Sequence, residues 1–238
     1  MNKVFLHCID PGHGGTDPGA VGKHSQEETI ALLISKIVGR ILLEQGQKVL
    51  FTRTTDKYLT LAQRADISNK ASCSTFISIH CNSNQGTPGE GIETYSHPTS
   101  TNGLKLSKCV QAEIVNATKL KNRGSKTANY GVLRMSKAVA ILVETAFINN
   151  PNEEILLMQS FYQEKLALAI VKGIFKYLGL EFKEKVITPA TKMDPKILEL
   201  QKLLNKFGAT DQNNKKLDED GLIGHKTKVA LNKLVLKL

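Results

Sequence analysis

Hydrophobic and polar positions along this chain change period several times. Val4 to Ile9 is a short apolar run that leads straight into Asp10-Pro11-Gly12-His13-Gly14-Gly15, which predicts a buried strand entering a glycine-rich turn. Residues 26–45 switch to helical spacing, with Ile30, Leu33, Ile34, Ile37 and Ile41 in register. Ser25-Gln26-Glu27-Glu28 predicts a capping box at the start of that helix and Gly46 its stop. Further strands are predicted at Lys48–Arg53, Thr75–Cys81, Gly91–His97, Val132–Arg134 and Ala138–Thr145. A second capping box, Thr60-Leu61-Ala62-Gln63, opens another helix, and helical patterns cover Gly103–Leu120 and Phe161–Leu178, the last stopped by Gly179. Asn150-Pro151 starts a short helix with proline in its first turn. The basic, polar stretch Lys121–Tyr130 reads as a loop.

Strands alternating with helices imply an α/β domain with a mostly parallel, twisted sheet flanked by helices on both faces. This pattern fills residues 1–180. Residues 181–192 carry charge and Pro189 without a period, the composition of a linker. Residues 193–238 form a separate small all-α unit, with Leu198, Leu203, Leu204, Val229, Leu231 and Leu234 as its expected core.

At 41 % hydrophobic residues over 238 positions, the chain can bury a core without disulfide staples. The net charge of +10 favours polyanionic partners, either nucleic acid or an anionic cell wall. Aromatic residues make up only 5 % and tryptophan is absent, which removes the stacking platforms of single-strand nucleic-acid binders. Cys8, Cys73, Cys81 and Cys109 include no C-x-x-C pair, so reduced thiols are expected. The apolar run at the N-terminus is too short for a signal peptide, and no segment approaches a membrane span. The expectation is synthesis in the cytoplasm, with access to any external substrate through a membrane pore or lysis.

Active residues of open α/β sheets gather at the carboxyl ends of strands. His13, His80 and Glu144 lie at or just past such ends, and Glu27 and Glu28 lie in the first turn of the helix entered from the His13 loop. Two histidines and a glutamate with an open fourth position are the donor set of a catalytic zinc site, and a further glutamate can serve as general base. Each residue also has an ordinary role: a turn histidine, a hydrogen-bonded core histidine, a glutamate paired with Arg134 or Arg123, a glutamate at the positive end of a helix. The glycine-rich turn is no phosphate cradle, because it fits neither G-x-x-x-x-G-K-[ST] nor G-x-G-x-x-G.

Four ordered blocks carry a family resemblance. Asp10-Pro11-Gly12-His13-Gly14-Gly15-Thr16-Asp17-Pro18-Gly19-Ala20 closely resembles the opening motif of the N-acetylmuramoyl-L-alanine amidases of the Amidase_3 (LytC/CwlV-like) type. Glu27–Gly46 resembles their metal-ligand helix, Ser78-Ile79-His80-Cys81-Asn82-Ser83 their S-I-H-x-N block, and Leu142–Asn150 the block with the catalytic glutamate. Thr52-Arg53 and Leu61-Ala62-Gln63-Arg64 also match, so the likeness covers residues 3–178. The resemblance implies zinc held by His13, Glu27 and His80, with catalysis by Glu144. Counting back from Gly46 selects Glu27 over Glu28, and capping agrees, since Glu28 would reach back to the cap at Ser25. Cys81 stands where the family has a small apolar residue, which points to packing.

The tail resembles peptidoglycan-binding domain 1. Leu200-Gln201-Lys202-Leu203-Leu204 matches its L-Q-x-x-L helix, and Asp220-Gly221-Leu222-Ile223-Gly224-His225-Lys226-Thr227 matches its D-G-x-x-G-x-x-T turn. The usual F-Q ending of the last helix is replaced by Leu231-Asn232-Lys233-Leu234. Together the two resemblances imply a zinc-dependent hydrolase that frees L-alanine from N-acetylmuramic acid in peptidoglycan, as a phage or prophage endolysin or a mother-cell autolysin. The alternatives are a metallopeptidase acting within the stem peptide and a wall-binding protein without catalysis.

Overall fold

The structure is a computed structural model that describes residues 3–184, 194–211, 213–222, 224, 226–227 and 229–231. The chain divides into two compact units, Met1–Lys183 and Glu184–Leu238. In the first, β1 (Leu6–Pro11), β2 (Lys48–Phe51), β3 (Thr75–Asn82), β4 (Ile92–Ser96), β5 (Asn122–Thr127) and β6 (Val139–Phe147) form one sheet in the order β2-β1-β3-β6-β4-β5. All neighbours run parallel except β4 against β6. This is the expected α/β fold with a mostly parallel sheet.

Alternation along each strand sorts the two faces. Ile9, Ile77, Ile79, Ile92, Ile141 and Val143 point into the larger core, where they meet apolar stripes of α1 (Glu27–Glu44), α3 (Thr101–Thr118) and α6 (Ser160–Leu178). Cys8, Phe76, Ala140 and Leu142 point the other way, onto Val132 and Leu133 of the short helix α4 (Gly131–Met135). Beside α4 lies α2 (Leu61–Lys70), whose capping box at Thr60 and Gln63 forms as expected. Asn150 caps α5 (Pro151–Met158), and Gly179 ends α6 in the left-handed conformation. All four cysteines are free thiols, and no helix among the described residues is long and apolar enough to cross a membrane.

Three sequence expectations for the first unit are corrected. The stretch expected as a loop at 121–130 contains β5, an edge strand whose polar composition reflects its outer position and its side-chain bonds to Glu93. Val132–Arg134, expected as a strand, lies within α4: Val132 and Leu133 both turn inward over one helical turn, an apolar pair too short to show its period. The capping box at Ser25 does not form. The Ser25 hydroxyl donates to Glu154 Oε1 (2.9 Å), and α1 starts one residue later with Gln26 at the cap.

The second unit contains α7 (Pro195–Lys206), capped by Asp194. The amide of the buried Gln201 gathers the turn motif: its nitrogen donates to Asp220 Oδ1, the Leu222 carbonyl and Thr227 Oγ1, and its oxygen accepts from the Gly221 N–H. Leu204, Ala209, Leu217 and Ala230 form the core, with Leu200 against it. Leu203 and Leu231, expected inside, are 46 % and 38 % exposed, and smaller alanines take their place. Leu234 and linker residues 185–192 lie outside the described residues. At 181–184, Phe182 packs on the first core and Lys183 bonds both ways with the Gln45 amide.

His7, fully buried on β1, bonds through Nδ1 to Thr75 Oγ1 (2.8 Å). Burial drives its pKa down to about 4, the Gln47 side chain opposing. The unfolded chain takes up this proton near pH 6.5, so the stability that neutral His7 provides is present above that pH and is lost as pH falls towards 4. The loss should amount to roughly 3 kcal/mol. Urea unfolding of the parent and of His7→Leu at pH 7 and pH 4 is expected to show the smaller acid destabilisation in the variant.

Candidate metal centre

The site forms where β1, β3 and β6 end. His13 follows β1 in a turn that forces its own backbone into the left-handed region (φ 58°). Asp17 accepts from the His13 ring at Nδ1 (2.8 Å), which turns Nε2 toward Glu27 Oε1 at 3.1 Å. His80, near the end of β3, places Nδ1 2.8 Å from the same Glu27 oxygen. The two imidazoles stand edge to face, 4.9 Å between centroids. One donor atom from each of His13, Glu27 and His80 lies within 4.8 Å of the others. Three hard or borderline donors converging from three separate segments fit a divalent cation of the zinc class.

Glu27 owes its place to the start of α1. Its N–H donates to the Ala20 carbonyl (2.9 Å), and its Oε2 accepts from the Ala20 N–H (2.8 Å). The Glu28 N–H donates to the Pro18 carbonyl, so the loop serves the first helical amides in place of a side-chain cap. Glu27 Oε1 also accepts from the Cys81 N–H (3.1 Å). Both histidines hold the Glu27 carboxyl well below its ordinary range despite burial. Burial opposes the rise at His13, but Glu27 and Asp17 carry its pKa up to about 9. Glu28 instead faces the Arg53 guanidinium at 3.7 Å and stays outside the donor cluster.

The loop between β1 and the site is held from below by two buried arginines. Arg64 donates to the carbonyls of Leu59, Pro11 and His13 and pairs with Asp10 (3.0 Å). Arg53 donates to the carbonyls of Pro11, Gly12, Glu28 and Thr55. Asp10 accepts in addition from Thr52 and Ser78. Arg64 therefore positions the backbone that carries His13. The sequence matched Arg53 and Arg64 to the family but carried no sign of this shared task, nor of Asp10 and Asp17. Glycine is required twice here: a Cβ on Gly12 would stand 2.3 Å from the His80 ring, and one on Gly19 2.6 Å from the His13 ring and 2.7 Å from Glu27 Oε2, at φ +68°.

Glu144 sits opposite His80 in the β3–β6 register. Its Oε2 is buried without a hydrogen-bond partner among the described residues. Burial pushes its carboxyl up to about 7, with His80 opposing and Glu27 adding to the rise. Arg123 and Arg134, the partners considered for it, bond instead to Glu93 and to Asn129. His24 is exposed, its backbone N–H donates to Glu154, and it lies outside the donor cluster. The buried Cys81 thiol contacts Thr145 Oγ1 at 3.4 Å, consistent with packing. A groove of about 490 Å³, lined by Tyr58, Leu61, Tyr130 and Val132, reaches His13, His80 and Glu144.

Residues 8–176 match the family described as N-acetylmuramoyl-L-alanine amidase. The chain is 36 % identical over 184 residues to the sporulation-specific N-acetylmuramoyl-L-alanine amidase of Bacillus subtilis, covering 76 % of this chain and 70 % of that one. It is 36 % identical over 171 residues to the amidase LytC of the same organism, covering 71 % of this chain but only 34 % of LytC. Among solved structures, an N-acetylmuramoyl-L-alanine amidase from Clostridium difficile 630 superposes with a TM-score of 0.72 at 38 % identity, over 75 % of this chain and 98 % of that one. The catalytic domain of CwlV from Bacillus (Paenibacillus) polymyxa gives 0.71 at 31 %, over 75 % and 100 %.

Raising the Glu144 pKa above its ordinary 4.5 means the folded state favours the neutral acid. Stability from this group is present below pH 4.5 and is lost as pH climbs through 7. Metal-free Glu144→Gln should therefore melt above the metal-free parent at pH 8, by up to roughly 3 kcal/mol, and the gap should close at pH 4. Calorimetry of chelator-treated proteins at the two pH values measures it.

Proposed function

The chain belongs to the N-acetylmuramoyl-L-alanine amidase family, and from there we propose that it is a zinc-dependent hydrolase of peptidoglycan in which His13, Glu27 and His80 hold the metal and Glu144 moves the proton. It would cut the amide between the lactyl group of N-acetylmuramic acid and L-alanine. The observation that carries this reading is the convergence of three donor atoms within 4.8 Å, with the buried, unpartnered Glu144 Oε2 on the neighbouring strand. Zinc held by His13, Glu27 and His80 would supply an acidified water and polarise a carbonyl.

The chain's own residues then have defined tasks. Asp17 fixes the His13 ring so that Nε2 is the donor, and Ala20 and Cys81 hold the Glu27 carboxylate through their N–H groups. The groove lined by Tyr58 and Tyr130 seats the substrate across the site. Glu144, ionised in the working state, accepts a proton from the attacking water and returns it to the leaving L-alanine nitrogen. A carboxyl poised near neutrality suits both transfers.

The tail is proposed to hold the enzyme on peptidoglycan, supported by the Gln201 network that ties its two motif segments together, and the net charge of +10 favours an anionic wall. Attachment of this kind raises local substrate concentration without new contacts at the reacting bond. The biological use we propose is lysis, by an endolysin or by an autolysin set free at lysis.

Digestion of purified peptidoglycan followed by mass analysis is expected to release stem peptides with a free L-alanine amine and to leave lactyl carboxylates. A chelator should stop this and zinc restore it. Fragments cut within the stem would favour a metallopeptidase, and no fragments at all a binding protein. Glu144→Gln should lose at least about 10²-fold in kcat while keeping one zinc per chain. Gly19→Ala should lose zinc by elemental analysis while the circular dichroism of the fold persists.

A further inference from the structure

Beyond the metal donors, the sheet carries a second polar row. Glu93 on β4 lies directly opposite Glu144 on β6, and directly opposed residues of an antiparallel pair share one face. His80, Glu144 and Glu93 thus line up across β3, β6 and β4, and β5 adds Arg123 and Lys126 at the end of the row. Glu93 is 3 % exposed and gathers four side chains. Its Oε1 accepts from Asn82 and from the Tyr95 hydroxyl, its Oε2 from Arg123 Nε (2.7 Å) and Lys126 Nζ (2.5 Å).

Arg123 and Lys126 thus bring two positive charges to the single Glu93 carboxylate. Their side chains are 31 % and 39 % exposed, so neither is sealed into the fold. Lys126 uses one of three donors on Glu93. Arg123 uses Nε there and one Nη1 hydrogen, at 3.5 Å, on the Glu90 carbonyl, which leaves its outer edge able to take a planar acceptor. The Arg123 guanidinium lies 4.8 Å over the Phe147 ring, which sets its plane. Such a pair, oriented before any ligand arrives, suits a carboxylate.

Distance selects which carboxylate. Strands lie about 4.8 Å apart, so β5 stands about 10 Å from the strand of Glu144. A peptide extends about 3.5 Å per residue, so the α-carboxylate of the residue after L-alanine lies roughly 6–7 Å from the scissile nitrogen, and the Arg123 and Lys126 side chains close the remaining gap by reaching back from β5 to Glu93 on β4. Resting on the amidase reading above, we propose that Arg123 and Lys126, held side by side by Glu93, form a subsite for the free α-carboxylate of the acidic second residue of the stem peptide. The enzyme then discriminates between walls in which that carboxylate is free and walls in which it is amidated.

The test uses the full zinc-loaded chain and two purified muropeptide monomers that differ only in whether the second stem residue carries a carboxylate or its amide. The parent is expected to show about tenfold higher kcat/KM on the carboxylate form. Lys126→Met should raise KM on that form about tenfold relative to the amide form and so erase the preference, and Lys126→Arg should restore it. Equal rates on the two muropeptides with the parent, or an equal loss on both in Lys126→Met, would overturn the subsite while leaving the amidase reading intact. Cleavage of neither at the muramoyl–alanine bond would overturn the amidase reading and the subsite together.

Discussion

The buried pair of Asp10 and Arg64 is the interaction on which the rest of the site depends. A paired charge inside a protein persists only when its remaining donors and acceptors are met. Here they are met by the backbone of the metal loop itself. Arg64 and Arg53 together donate to the carbonyls of Pro11, Gly12 and His13, while Thr52 and Ser78 complete the Asp10 carboxylate. Gly14 and Asp17 pair with one another across the turn, the arginines take the carbonyls before it, and His13 can hold its left-handed backbone. The cost of burying two guanidinium groups is offset by these hydrogen bonds, which also fix the backbone that carries the His13 imidazole.

From that frame the sheet distributes polar groups in order. Asp17 and Ala20 orient His13 and Glu27 at the β1 edge, Glu144 Oε2 on β6 has no hydrogen-bond partner among the described residues, and Glu93 on β4 holds two cations from β5. The lone antiparallel contact between β4 and β6 makes this possible. A parallel neighbour there would need a covering crossover, whereas the observed pairing brings a second carboxylate level with the first. Repulsion from Glu93 adds to the neutral tendency of Glu144.

Much of this was legible in the sequence because it rests on periodicity and on short ordered motifs. The strand before His13, the strands that carry His80 and Glu144, the Thr60 capping box and the Gly179 stop all follow from local rules, although β3 and β6 run two and three residues past His80 and Glu144. The failures share a cause: tertiary partners overrode local preference. Ser25 looked like a cap until Glu154, 129 residues away, took its hydroxyl. The choice of Glu27 over Glu28 coincides with the geometry, yet the capping half of its argument does not hold, since Ala20 and Pro18 rather than a side chain satisfy the first amides. β5 looked like a loop because its side chains answer to a carboxylate on β4. The tasks of Arg53 and Arg64 are directed at backbone carbonyls, which leave no trace in residue identity.

The double closure of Glu27 on Ala20 gives the metal loop a rotational registration. α1 is a rod of 18 residues, about 27 Å long, keyed into the core by Ile30, Ile34, Val38 and Ile41. Its first residue inherits an azimuth from that buried stripe, since each residue turns the helix by about 100°. One residue gained or lost between Glu27 and Ile30 would swing the carboxylate away from both histidines while every side chain of the site remained present. Chain-length change in this region is therefore confined to the bend between Val21 and Gln26, whose isolated bridge closes it off from the rod.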